Sequence, residues 1–424
     1  ESIFRQMEKG LNYFREKFGC RPRTAINVDS FGHDRGLVQL LRKSGYTSYL
    51  VGRPSLEVCK APGPDFLWEG YDGTCIPVHL AAEGYNSGLG KVRRKLEYYR
   101  RQEGTDNSVL ALWGIGNHGG GPSKEDLDEI SLLQKEWEKE GVQLIHSTPE
   151  MYFDSISGSE LPLFDREIGP SMPGCYTSQV RIKQTHCLLE NMLYQTEKLL
   201  AAAEIFTGME GDWESLKQAE EILLFNEFHD ILPGTSVQRA EDAALREMGG
   251  AISLLEKEKT RAFMHLCRQT EKLEPGVIPI FACNPHPWPV KAVLECEFQL
   301  QDQGWDYTYT DFEVRYQGEV IPSQLEKEGS SIPLDWRKRL VFMADIPPFA
   351  TAALYAYPKV LTGKPELPQT IESEIRLEGS GGELIIDKKS GLISSYRIDG
   401  ISLFCPGAAR LVLIADNEDP WGMT

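Results

Sequence analysis

Apolar residues recur at helical spacing from the start of the chain. Ile3, Phe4, Met7, Leu11, Phe14 and Phe18 share one face, and Gly19 supplies the stop. The pattern then alternates between short apolar runs and amphipathic stretches. It predicts strands near 24–28, 46–51, 109–113 and 144–146, and a turn and strand over 70–80 around Asp72-Gly73. Helices are predicted over 35–44, 91–101 and from Ser123 to near Gly141. This is α/β alternation, a fold type that collects its sites at the carboxyl ends of strands.

From about 176 to 272 the pattern is helical and long. A stripe of Leu188, Leu189, Met192, Leu193, Leu199 and Leu200 marks a helix over 180–206. Two more follow over 213–228 and 237–267, with Pro233-Gly234 breaking the chain between them. Three helices on short connections predict a bundle. Beyond 277, β-branched and aromatic runs such as 292–299 and 339–343 are cut by Pro, Gly and Asp, a β-sandwich signature. A second β unit is expected near 373, with 383–386 and 393–398 as a hairpin-like pair. The expected fold class is multidomain, α/β plus all-α plus all-β: a barrel-like α/β domain over 1–155, a three-helix bundle over 156–273, a small β-sandwich over 274–360, and the start of a larger one over 361–424. Both ends read as cut, since the chain opens without Met inside a helix and stops at 417–422 in mid-architecture.

A chain of 424 residues exceeds one hydrophobic core, which agrees with several domains. Its formal charge of −18 repels nucleic acid and anionic membranes, so neither is an expected partner, and a neutral or cationic small substrate suits it better. A homo-oligomer is left open. The nine cysteines are scattered singly with no CxxC pair, which argues against a disulfide framework and against a thiolate zinc site. No apolar run approaches the roughly 20 residues needed to cross a bilayer. A cytoplasmic protein is expected.

Three motifs carry candidate chemistry. Asn27-Val28-Asp29-Ser30-Phe31-Gly32-His33 is a strand-like run that ends in a carboxylate, which either serves a site or caps the next helix. Glu227-Phe228-His229-Asp230-Ile231-Leu232-Pro233-Gly234-Thr235-Ser236 sets polar groups into an apolar helix end, where they need partners that a metal supplies. Gly114-Ile115-Gly116-Asn117-His118-Gly119-Gly120-Gly121-Pro122 is a tight turn. No Lys-Ser/Thr follows it in phosphate-loop register, and acidic residues come next.

Taken in their order along the chain, the motifs resemble the α-mannosidases of glycoside hydrolase family 38. The resemblance implies a retaining, zinc-dependent α-mannosidase acting on terminal α-linked mannose of oligosaccharides. It makes Asp29 both zinc ligand and nucleophile, through a covalent mannosyl-Asp intermediate, and His229 a second zinc ligand. Phe31 resembles the aromatic that stacks beneath the sugar, Arg53 the arginine that holds the nucleophile, and Asp230 a partner of sugar hydroxyls. Arg53 beside Pro54 is equally readable as a surface residue.

This chain departs from the family pattern at two places. Many members carry an Asp as acid/base where Asn117 stands, and an amide cannot cycle a proton. His118 is then the expected acid/base, with Glu125 and Asp126 as other candidates, unless the loop only positions substrate. The family's remaining zinc ligands, a His-x-Asp pair, have no counterpart before Asp29. Two ligands hold zinc poorly, so the chain as given is expected to be metal-poor and inactive. Asn117 favours an alternative, a catalytically impaired mannose-binding relative. A metal-dependent deacetylase would need a metal-bound water and a separate base, and the helices around His229 with the β regions that follow argue against it. Tyr176 is a further pocket candidate or a buried turn tyrosine. Trp68 and Trp113 are stacking or core candidates, and the 335–339 charges read as a solvated strand edge.

Overall fold

Gly19 ends the first helix as the pattern predicts: α1 runs Ser2–Phe18 and Gly19 takes φ +65°, a conformation that costs glycine little. The computed structural model describes all residues except 82–83, 103, 117–119, 268–272, 306–307, 330–333, 366–372, 380, 414, 416–418, 420 and 423–424. It divides into two units. The first comprises Glu1–Glu197, Asp212–Glu258 and Asn417–Thr424, and the second Lys198–Gly211 and Lys259–Asp416.

In the first unit the elements after α1 are β1 (Thr24–Asn27), α2 (Gly36–Lys43), β2 (Ser48–Val51), α3 (Leu56–Cys59), β3 (Asp65–Glu69), β4 (Cys75–Leu80), α4 (Val92–Arg100), α5 (Lys124–Glu138), α6 (Pro149–Ser155) and β5 (Leu163–Phe164). The strands pair in the order β1-β2-β4-β3-β5. β1, β2 and β4 are parallel neighbours, whereas β3 and β4 form an antiparallel hairpin. This pairing is linear, with β1 and β5 at its edges among the described residues, and does not close into the expected barrel-like ring. Val38 and Leu41 of α2 bury against Tyr49, Phe66, Trp68, Ile76, Val78 and Leu80 of the sheet. Trp68 is fully buried and donates from Nε1 to the Arg166 carbonyl at 2.8 Å, so it is core and not a sugar platform.

Two expected strands do not form. Residues 109–113 and 144–146 have no strand partner among the described residues. Their apolar side chains, Ala111, Trp113 and Leu144, pack instead with Val142 on the α4–α5 core of Val92, Leu96, Ile130, Leu133 and Trp137. Burial between helices satisfies the same apolar pattern that suggested a strand.

Helices α7 (Val180–Thr207), α8 (Trp213–Phe225) and α9 (Gln238–Leu266) follow. In the first unit α1 is fastened to α7 and α8 through charge: Arg5 meets Glu197 at 2.5 Å and Glu220 at 2.8 Å.

In the second unit, β6 (Ile278–Asn284), β7 (Val290–Gly304), β8 (Tyr309–Tyr316), β9 (Glu319–Ile321), β10 (Ser323–Glu326), β11 (Asp335–Ile346) and β12 (Ala350–Leu361) form two antiparallel sheets, β10-β11-β7 and β6-β12-β8-β9. Alternate residues of both, including Leu340, Phe342, Phe312, Val314 and Leu354, share one core. The 335–339 stretch is solvated only in part: Arg337 is exposed, and β10 pairs with this strand from Arg339 onward. β11 is the central strand of its sheet, and Lys338 is buried beside Asp335 with Nζ 3.9 Å from the Tyr309 ring centroid. β13 (Glu374–Gly379), β14 (Gly382–Asp387), β15 (Ile393–Ile398) and β16 (Ile401–Ser402) make a separate meander, and β14 and β15 are the hairpin pair that the sequence predicts.

The parallel approach of β1 and β2 sets the scale of the site. A Cβ on Gly52 would lie 2.2 Å from the Val28 carbonyl oxygen, inside contact distance of backbone that cannot swing away. Gly52→Ala is therefore expected to cost about 2–3 kcal/mol. A thermal or urea midpoint unchanged from wild type would contradict this close approach.

Candidate functional site

The chain leaves β1 at Asn27 and β2 at Val51, and two residues beyond each strand stands a charged side chain, Asp29 and Arg53. Arg53 Nη2 lies 2.5 Å from Asp29 Oδ1. That oxygen is shielded from solvent and receives no well-aligned hydrogen bond, so the contact is an ion pair with the N–H directed off the oxygen. The guanidinium carbon stands 5.7 Å from the Phe31 ring centroid, in cation–π range, so Phe31 flanks the pair.

His229 reaches the same carboxylate from the α8–α9 connection. It sits beyond the end of α8, in a run of turns, and not on the helix end that the sequence predicts. Lys183 donates to the Leu232 carbonyl at 3.0 Å, and Gln179 Nε2 to the Ser236 carbonyl at 3.0 Å, which ties these turns to the start of α7. The Gly234 φ of +80° permits the close pass over Ser178. So held, His229 Nε2 lies 3.5 Å from Asp29 Oδ2 and 3.8 Å from Asp230 Oδ2, with its ring 4.2 Å from that of Phe228. Asp230 Oδ1 accepts from Thr235 Oγ1 at 2.6 Å, which leaves Oδ2 facing the site.

Three further side chains belong to this arrangement, and of these the sequence offers only Tyr176 as a candidate. Tyr85 donates to Asp29 Oδ2 at a long 3.4 Å. Burial first, and the Asp29 carboxylate second, raise the pKa of its phenol and keep it a donor. Tyr85 lies in an irregular loop with no periodic signal. Tyr176 donates to the Phe31 carbonyl at 2.9 Å, so it braces the loop and is not a buried turn tyrosine. His33, inside the first motif, bridges the Tyr49 hydroxyl at 2.7 Å and the Arg53 carbonyl at 2.9 Å.

Asn117 and His118, the substrate-binding and acid/base candidates, lie outside the described residues. The ends of their turn are pinned: Ser87 N donates to Gly114 O at 2.6 Å and Ile115 N to Gly121 O at 2.9 Å. Asp126 has a structural role instead of an acidic one. It is fully buried at the start of α5, where it accepts from Ser123 Oγ at 2.5 Å and Val92 N at 3.3 Å.

Asp29 Oδ2 and His229 Nε2 stand at a separation that two ligands of one zinc ion adopt when each bond is roughly 2.0–2.2 Å. Among the described residues, however, no group of three or more His, Cys, Asp or Glu is placed to hold a metal. The described residues bring two candidate ligands together and do not complete a zinc site. Nor does any described helix have the length and apolarity to cross a membrane.

Two family profiles match consecutive stretches that together span more than half of the chain. The glycosyl hydrolases family 38 N-terminal domain matches residues 1–170, and the alpha mannosidase middle domain matches residues 172–266. Alpha-mannosidase G of Dictyostelium discoideum is 30% identical over 56% of this chain and 22% of its own length. Alpha-mannosidase 2C1 of Homo sapiens is 27% identical over 68% of this chain and 28% of its own. The chain thus spans about a quarter of the length of these relatives. The crystal structure of an alpha-mannosidase from Enterococcus faecalis V583 superposes with a TM-score of 0.69 at 18% identity, covering 93% of this chain and 51% of that one, which establishes likeness of fold.

His33 also makes stability depend on pH. Burial lowers its pKa from 6.5 to about 4, so the folded state resists protonation where the unfolded state accepts it. Stability is therefore full above about pH 6.5 and is lost as the pH falls toward 4; at pH 5 the loss is about 2 kcal/mol. Urea midpoints at pH 7 and pH 5 test this. His33→Gln should narrow the gap between them, and an equal gap in both proteins would contradict the assignment.

Proposed function

The chain belongs to glycoside hydrolase family 38, and from that premise we propose that the intact protein is a retaining, zinc-dependent α-mannosidase that removes terminal α-linked mannose from oligosaccharides. The observation that carries the reading is one carboxylate, Asp29, with Arg53 at one oxygen and His229 near the other. A retaining glycosidase needs such a carboxylate as nucleophile. Asp29 attacks the anomeric carbon as the glycosidic C–O bond breaks, and the leaving oxygen takes a proton from the acid/base group. Water then releases mannose from the mannosyl-Asp ester and restores that proton, with configuration retained. Arg53 holds the carboxylate in place, Phe31 stacks beneath the ring, and Asp230 Oδ2 accepts from sugar hydroxyls. His118 is the proposed acid/base and Asn117 a substrate contact.

Zinc enters through family membership and the approach of His229 to Asp29, which would be two of its ligands. When bound it would supply positive charge beside the sugar hydroxyls, and the remaining ligands would come from outside the described set. In the same terms, the fold reads as an α/β catalytic domain with an open sheet, a three-helix bundle and two β-sandwich regions, with boundaries near 155, 273 and 360. The nine cysteines, all free thiols, support a cytoplasmic location.

The second reading is a mannose-binding relative without turnover, favoured by Asn117 where family members carry the proton donor. Two substrates separate the readings when tested on the full-length protein: an aryl α-mannoside with a very good leaving group, which needs little acid catalysis, and a mannobiose, which needs a proton donor. Turnover of both, abolished by a chelator, is expected. Asp29→Asn should lower kcat on the aryl substrate by at least about a thousandfold. Wild-type protein that binds mannose and turns over neither substrate would establish the binder instead.

A further inference from the structure

His33 touches neither Asp29 nor the space in front of it, yet its ring is held more fully than any other near the site. It is 5% exposed. The Arg53 carbonyl can only accept, so Nε2 carries the proton and donates across 2.9 Å, and the bare Nδ1 accepts from the Tyr49 hydroxyl at 2.7 Å. Burial raises the Tyr49 pKa and keeps that donor protonated. The Tyr49 ring is stacked on Trp68, with centroids 6.0 Å apart and planes 11° from parallel. The His33 backbone is clamped as well: its N–H donates to Ile168 O at 2.8 Å, and its carbonyl accepts from Ile168 N at 3.1 Å. Each of these groups is anchored in the sheet core or in the segment leading out of β5. The Arg53 peptide, by contrast, lies past the end of β2, where the strand's ladder no longer holds it.

We infer that His33 is a positioning residue, which fixes the Arg53 backbone through its Nε2–H so that the guanidinium meets Asp29. This deepens the glycosidase reading and rests on it. A histidine buried only to fill the core would need partners of any kind. This one spends its single N–H on the backbone of the residue that holds the nucleophile. The loop after β1 thereby reaches across to the loop after β2 twice, once by the Asp29–Arg53 ion pair and once by His33. Because burial holds the His33 pKa near 4, the ring stays neutral with that one donor at ordinary pH.

The test compares His33→Asn with His33→Gln in the full-length protein. The glutamine amide nitrogen reaches the place of Nε2 and still donates to the Arg53 carbonyl. Asparagine is equally polar and stops near the place of Nδ1. On an aryl α-mannoside with a good leaving group, H33N should lower kcat about 10- to 100-fold with KM within about threefold. H33Q should recover kcat to within about fivefold of wild type. Crystal structures of both variants supply a readout independent of turnover. The Arg53–Asp29 contact should open beyond about 4 Å in H33N and remain closed in H33Q. An Arg53–Asp29 contact that stays closed in H33N, or kcat values that follow thermal midpoints and not the donor, would overturn the inference and leave His33 a core residue. If wild-type protein turns over no mannoside, the glycosidase reading fails, and the contact distance still decides the role of His33.

Discussion

The contact between Asp29 and Arg53 is the constraint around which the first unit is arranged. Two parallel strands end side by side, and each delivers one charge two residues past its end. A carboxylate and a guanidinium brought this close, both mostly out of solvent, need their backbones fixed, because a flexible pair would lose in ordering what it gains in attraction. The fixing is visible in three places. Gly52 allows β2 to pass Val28 without a side chain between them, Tyr176 holds the Phe31 carbonyl, and His33 holds that of Arg53. Tyr85 and His229 then approach the one carboxylate oxygen that Arg53 does not cover.

Much of this was legible in the sequence, for reasons that differ residue by residue. Asp29 and His229 stand in motifs specific enough to link them across distant parts of the chain, and the structure brings them within 3.5 Å. α1, α2, α4 and α5 follow from apolar periodicity, and Ser123 caps α5 through Asp126 N as its position suggests. The run over 109–113 misled because an apolar alternation specifies burial and not the partner that provides it. Here two helices, and no neighbouring strand, cover Ala111 and Trp113. Tyr85 carried no signal, since a loop side chain gains its role only when the fold sets it beside Asp29. His33 was within the quoted motif, but its role depends on the Arg53 carbonyl, and a backbone atom has no signature in sequence. The solvated reading of 335–339 holds for Arg337 and fails at Lys338, which is buried and paired with Asp335.

Relatedness and chemistry stand at different distances from these observations. The family 38 N-terminal profile, followed by the alpha mannosidase middle-domain profile, places the chain in that family, while the curated relatives are about four times as long as the region they share with it. What the described residues contribute by themselves is a carboxylate beside Arg53, a histidine that approaches it, the Phe31 ring against the guanidinium, and Asp230 Oδ2 near His229. That set suits covalent catalysis at an anomeric centre.

The central claim is that Asp29 is a nucleophile that forms a bond to sugar, and it is tested most directly by trapping that bond. The full-length protein would be incubated with a 2-fluoro-substituted mannosyl fluoride, whose C2 fluorine slows both steps while the fluoride leaving group keeps formation of the ester ahead of its hydrolysis. Digestion and mass spectrometry would then locate the adduct. A fluoromannosyl group on the peptide containing Asp29, lost on incubation with an acceptor sugar, is the predicted result. Adduct formation on another carboxylate, or turnover of an activated mannoside with no adduct at Asp29, would contradict the account.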